Sequence, residues 1–273
     1  MIRYAAFALA VIVWAGALHA HEGVHEQIAK VTARIQLDPR NARLFLQRGE
    51  LHRVHRNWRS ATRDYDRAGR LDPALAAVDL ARGLLLLDRG RGAQALAPLR
   101  RYVHARGDDN RGLIALARAH VMAGESSGAA DAYAAVLALT PQPDPEWILE
   151  HARALVAAGR PRAALEQLDA MMVRLGPVAA LQLAAIDIDL SLGHTDDALR
   201  RVARAEAQAA RKETWLARRG DILLRAGRTA EARAAYRSAL DAIASLPEER
   251  RFTRAHRELE ERMRAALGVP FPD

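Results

Sequence analysis

The 273-residue chain contains no cysteine, which excludes disulfides and cysteine-ligated zinc. Lysine is almost missing: Lys30 and Lys212 are the only two, and no Gly-Lys pair exists. A phosphate-binding loop of the Gly-Lys type is therefore excluded. Aromatic residues make up only 5% of the chain, too few for the strand-forming composition of a β-rich fold. What is abundant is alanine, leucine and arginine, which favour helix. Half of the residues are hydrophobic, enough for a sizeable core. The net charge is +8, carried almost entirely by arginine. Such a balance raises nucleic acid or an anionic membrane as partners. The arginines alternate with acids along the chain, as between Arg118 and Asp131, which reads as solvated helix faces and as no nucleic-acid site.

The first 20 residues differ from the rest. Arg3 is followed by an uninterrupted apolar and small run, Tyr4 to Leu18, and then by Leu18-His19-Ala20. This is the layout of a secretory signal peptide cleaved after Ala20. The run is short for a membrane span, which needs about 20 apolar residues. An uncleaved anchor is the alternative. Export places the chain outside the cytoplasm, most simply in a bacterial periplasm.

Two lattices with a step near 34 run through the remainder. Pro39, Pro73 and Pro141 lie on one, and Leu37-Asp38-Pro39 repeats as Leu71-Asp72-Pro73. Gly90, Gly124, Gly159, Gly193 and Gly227 lie on the other, each followed five residues later by Ala95, Ala129, Ala164, Ala198 and Ala232. Each period reads as helix, glycine turn, helix, with apolar residues every three to four positions.

Residues 42–73 resemble a tetratricopeptide repeat in Phe45, Gly49, Ala61, Tyr65, Ala68 and Pro73, and the last copy matches at Gly220, Ala232, Tyr236 and Ala239. The resemblance implies an all-α, right-handed α-solenoid of about six copies, starting near 42, 76, 110, 145, 179 and 213. One helix pair cannot bury its apolar face alone, so the ends need caps. Residues 21–40 supply a first cap, with Val24, Ile28, Val31 and Ile35 on one face. Residues 247–273 supply the last, a single charged helix over Glu248–Leu267 stopped by Gly268 and Pro270. Pro98 falls inside a second helix and is expected to kink it. The same copy carries Tyr102 where the family prefers alanine.

Two catalytic patterns match by letter. His21-Glu22-Gly23-Val24-His25 has the spacing of a zinc-protease helix, in which two histidines bind metal and the glutamate is the base. Here it stands at the expected mature terminus with no third ligand nearby. The expectation is no metal and no catalysis, with a weak surface site on His21 and His25 as the remaining possibility. Gly124-Glu125-Ser126-Ser127-Gly128 has the letters of a nucleophile elbow, which requires a strand before the serine. It bridges two helices instead, with Ser127 expected as a helix cap. No cofactor is expected.

The resemblance implies that the first helix of each copy lines a concave groove for a protein or peptide partner, through its positions 2, 5, 9 and 12. Those positions give Arg43 and Glu50 in the first copy, then Arg111, Ile114 and Arg118, Leu149 and Arg153, Asp187, and Asp221. The apolar rows among them equally suit packing between helices. Arg111, Arg118 and Arg153 suit an acidic segment or a C-terminal carboxylate, since guanidinium forks match carboxylates. Asp187 and Asp221 make the last copies acidic. The family's carboxylate-clamp pattern of Lys and Asn is not present, so that specificity is not implied.

Overall fold

The computed structural model describes residues 23–268. The expected signal segment, His21 and Glu22, and the last five residues lie outside the described part. Every described element is a helix. The chain divides into two compact units, one ending at Leu139 and one beginning at Thr140.

The first unit holds α1 (residues 23–37), α2 (Ala42–Val54), α3 (Trp58–Leu71), α4 (Ala77–Asp88), α5 (Gly92–Ala105), α6 (Asn110–Ala123) and α7 (Ser126–Leu139). The second holds α8 (Pro145–Ala157), α9 (Pro161–Leu175), α10 (Ala179–Ser191), α11 (Thr195–Gln208), α12 (Glu213–Arg225), α13 (Thr229–Ala244), α14 (Glu248–Arg251) and α15 (Arg254–Leu267). Several helices start where a side chain satisfies an orphan amide. Asn41, Asp109 and Asp144 accept from the backbone N–H groups of Arg43, Arg111 and Glu146 at 3.2, 2.9 and 2.8 Å. The turn glycines Gly90, Gly124, Gly159, Gly193 and Gly227 all have φ between 71° and 77°. Arg56, one lattice step before Gly90, adopts φ 56° without being glycine.

Pairing within each copy follows a volume rule. Where one helix offers glycine, its partner offers a large side chain. A Cβ on Gly49 would lie 2.5 Å from the Tyr65 ring, and one on Gly220 2.5 Å from Tyr236. The corresponding positions elsewhere hold Ala117 and Tyr133, Ala152 and Leu168, and Ile186 and Val202, all buried. Tyr102 follows the same logic across copies. It is buried, and Gly112 of the next copy makes room for its ring, 2.5 Å from where a Cβ would stand. Its hydroxyl donates to Asp109, the cap of α6.

α5 runs over Gly92–Ala105 with Pro98 inside it. Three expectations change. The last segment is not one helix: it breaks at Phe252, and Thr253 caps α15, accepting from the His256 amide at 3.3 Å. α15 is also no purely solvent-facing stripe, since Met263 and Leu267 join the core with Tyr236 and Ile243. His256 is buried too, its Nε2 3.3 Å from the buried Glu213 carboxylate. Ser127 lies inside α7, which begins at Ser126. The Gly124–Gly128 string is accounted for by the turn. Gly124 ends α6 in the left-handed region, Glu125 pairs with His120 at 2.9 Å, and Gly128 leaves space for the His120 ring.

Candidate functional site

In the first unit α4 and α6 lie side by side and form a cleft of about 400 Å³. Leu84, Leu87, Ile114, Ala115 and Met122 make its apolar lining, and Asp88, Arg111 and Arg118 its charges. Apolar spacing on α6 places Ile114 and Arg118 one turn apart on one face, and Arg111 one turn before. Arg111 sits in the first turn, next to the Asp109 cap. Asp109 is pushed up by burial but pulled further down by the Tyr102 hydroxyl, the Arg111 amide and the charges of Arg111 and Arg106, so it stays ionised. Asp88 is already engaged by Arg53 at 2.5 Å, and Arg53 also holds Glu50 at 3.0 Å. The lining thus combines an apolar floor with two arginines and one neutralised acid. Val121, 55% exposed, and Met122, 48% exposed, extend apolar surface from the cleft.

The sequence-derived site residues fall into three groups. Arg111, Ile114 and Arg118 come together in this cleft. Glu50 and Asp221 have structural partners instead. Glu50 accepts from the Tyr65 hydroxyl at 2.6 Å and Asp221 from the Tyr236 hydroxyl at 2.9 Å. Burial first, then the facing carboxylate, raises both phenols, Tyr236 to about 12. The remaining residues lie apart. Arg43 is exposed on α2. Leu149 is half-buried on α8, and Arg153 on the same helix pairs with Glu146 at 3.3 Å. Asp187 pairs with Arg218, and Asp221 also with Arg262 at 3.4 Å. The expected acidic end is therefore matched by arginines of its own unit. Among the apolar residues at positions 5 and 12 of the first helices, Leu80 and Ala217 are buried, whereas Leu183 and Leu224 are exposed.

Leu84, Asp88 and Met122 were not anticipated. Asp88 follows Leu87, an expected groove position, and its pairing with Arg53 thirty-five residues earlier matches one repeat step. A larger cleft of about 500 Å³ lies in the second unit among α9, α10 and α11. Its Arg201, on α11, is forked onto Asp169 of α9 and bonded to buried Asp189 of α10 at 2.6 Å, which ties three helices together. His25 and His55 stack with ring centroids 5.8 Å apart, and no group of three metal-ligating side chains occurs among the described residues.

A tetratricopeptide repeat model matches residues 3–175, and a tetratricopeptide repeat-like model residues 148–258. No curated protein matches the sequence. Among solved structures, a tetratricopeptide repeat protein from Parabacteroides merdae is similar at 14% identity and TM-score 0.51, covering 89% of this chain and 94% of that one. PilW, described as a widely conserved type IV pilus biogenesis factor, is similar at 20% identity and TM-score 0.52, covering 72% and 93%. PilF of Pseudomonas aeruginosa is similar at 16% identity and TM-score 0.52, covering 70% and 86%. At these identities the likeness is one of fold.

Proposed function

Because the chain belongs to the tetratricopeptide repeat family and is built as a protein-interaction scaffold, we propose that it holds a partner's segment in the α4–α6 cleft, outside the cytoplasm. The carrying observation is the apolar floor of Leu84, Leu87, Ile114 and Met122 with Arg111 and Arg118 on the same cleft. An amphipathic helix or extended peptide lays apolar side chains on such a floor. An acidic residue or a C-terminal carboxylate on that segment meets the guanidinium groups, whose fork geometry suits carboxylates. No step of this function requires a cofactor, a metal or a catalytic group. The export reading rests on the Tyr4–Leu18 run and the Leu18-His19-Ala20 ending.

Affinity capture from an extracytoplasmic extract tests the reading. Replacing Arg111 and Arg118 by alanine is expected to weaken a captured partner at least tenfold, in line with losing charge-assisted hydrogen bonds worth roughly 1.5–3 kcal/mol each. Arg153→Ala, in the second unit and paired with Glu146, is expected to change little. A partner held equally by the double variant and the native chain would remove the cleft from the account.

A second reading, an assembly factor that works at a membrane, is favoured by the charge of the first unit.

A further inference from the structure

The positive charge is unevenly placed. Residues 1–139 carry 20 Lys and Arg against 13 Asp and Glu, net +7. Residues 140–273 carry 21 against 20, net +1. Part of the surplus stands on one helix. Arg59, Arg63, Arg67 and Arg70 of α3 are all exposed. Their spacing of four, four and three puts them in one row about 16 Å long. Arg56 is exposed in the turn before α3.

None of the four forms an ion pair among the described residues. Arg63 donates to the Ser60 hydroxyl at 3.1 Å, and Arg67 lies over the Phe45 ring at 5.8 Å. The acid beside the row, Asp66, is held by Arg82 at 2.8 Å. Asp64 is buried and forked by Arg48 at 2.7 and 2.8 Å. On α5 and its C-cap, by contrast, Arg100, Arg101 and Arg106 each face an acid, Glu125, Asp79 and Asp108. No acid offsets the α3 row, in which like charges one turn apart repel.

The side chains among these arginines narrow the partner. Ser60, Thr62, Asp66 and Gly69 are polar or small, Trp58 is half-buried and Tyr65 buried. A protein interface draws its affinity from a desolvated apolar or aromatic centre, and this row has none. Binding a single nucleic-acid strand relies on exposed rings for stacking, also lacking here. A bilayer of anionic lipids demands neither. It presents a plane of phosphates, for which guanidinium is well suited. The surplus of +7 on residues 1–139 complements such a surface. We propose that the α3 arginine row docks the protein on an anionic lipid surface, a site separate from the α4–α6 cleft.

Vesicle cosedimentation of the full chain tests this, with phosphatidylcholine alone or mixed equally with phosphatidylglycerol. Each arginine near an anionic surface is worth roughly a fivefold gain, so four give on the order of several hundredfold. The expected result is phosphatidylglycerol-dependent binding that weakens with salt. It falls several hundredfold in the variant with Arg59, Arg63, Arg67 and Arg70 all changed to Gln. It persists when Arg204, Arg219, Arg233 and Arg237 of the second unit are changed instead. A second readout does not depend on that variant's folding. The chain has no native cysteine, so Thr62→Cys, within the row, takes a single fluorescent label, with Ser238→Cys on α13 as control. A quencher fixed to lipid headgroups is expected to quench the Thr62 label and spare the other. Equal binding to phosphatidylcholine alone, equal loss in both charge variants, or equal quenching of both labels would overturn the proposal. So would displacement from the vesicles by duplex DNA or an acidic peptide at lower charge concentration than free anionic vesicles require, which would name another polyanion.

Discussion

The two units follow one plan of paired helices and differ in what their arginines do. In the second unit Arg201 is locked onto Asp169 and Asp189, Arg228 onto Asp196 and Glu231, and Arg218 onto Asp187. In the first, Arg48 and Arg53 serve the fold in the same way, but the α3 row faces outward without acids. Similar packing thus carries two electrostatic designs. The second unit is close to balanced at net +1, and the first keeps a surplus of +7.

The comparison is broken most forcefully at the shared packing. Tyr65→Ala and Tyr236→Ala are each expected to cost about 3–5 kcal/mol in denaturant unfolding, because each leaves a ring-sized hole opposite glycine. A loss near zero at either site would contradict the volume rule. Arg201→Ala comes next, at roughly 3 kcal/mol, since Asp189 is buried and would lose its partner. Arg63→Gln, the comparison in the α3 row, is expected to stay within about 0.5 kcal/mol. If the two cost the same, the distinction between structural and outward arginines fails.

Alkaline pH separates the tyrosines by their partners. Tyr102 and Tyr236 are raised to about 12 by burial and by the facing Asp109 and Asp221. The unfolded chain loses these protons first, so their contribution is intact below about pH 10 and is lost as pH rises towards 12. Phenolate absorbance should rise near pH 12 for both, and Asp221→Asn should lower the step belonging to Tyr236. One expected effect is a gain. Arg56→Gly relieves a left-handed non-glycine residue and should raise stability by about 1 kcal/mol. A loss would mean that Arg56 holds a contact of greater worth than its strain.

The helix pairs were readable because the 34-residue step is written in glycine and proline, and turns are local. The partners of Glu50 and Asp221 were not read, although a tyrosine follows each by fifteen residues, a spacing that carries the signal. Gly112 compensating Tyr102 joins neighbouring copies and has no local mark. The break at Phe252 was visible only in Thr253, a cap residue within a charged stretch that otherwise reads as continuous helix. The α3 row has helical spacing in plain view, but sequence alone does not tell that Asp64 and Asp66 are engaged elsewhere. Arg111, Ile114 and Arg118 line one cleft, while Arg153 belongs to the other unit.

The most direct test of the scaffold account is photocrosslinking in living cells with a crosslinking amino acid at Met122, on the α4–α6 cleft, and at Val173, exposed in the second unit. The account predicts a discrete protein adduct from Met122, lost when Arg111 and Arg118 are replaced by alanine, and none of that size from Val173. Adducts from Val173 alone, or a Met122 adduct indifferent to the two arginines, would contradict it.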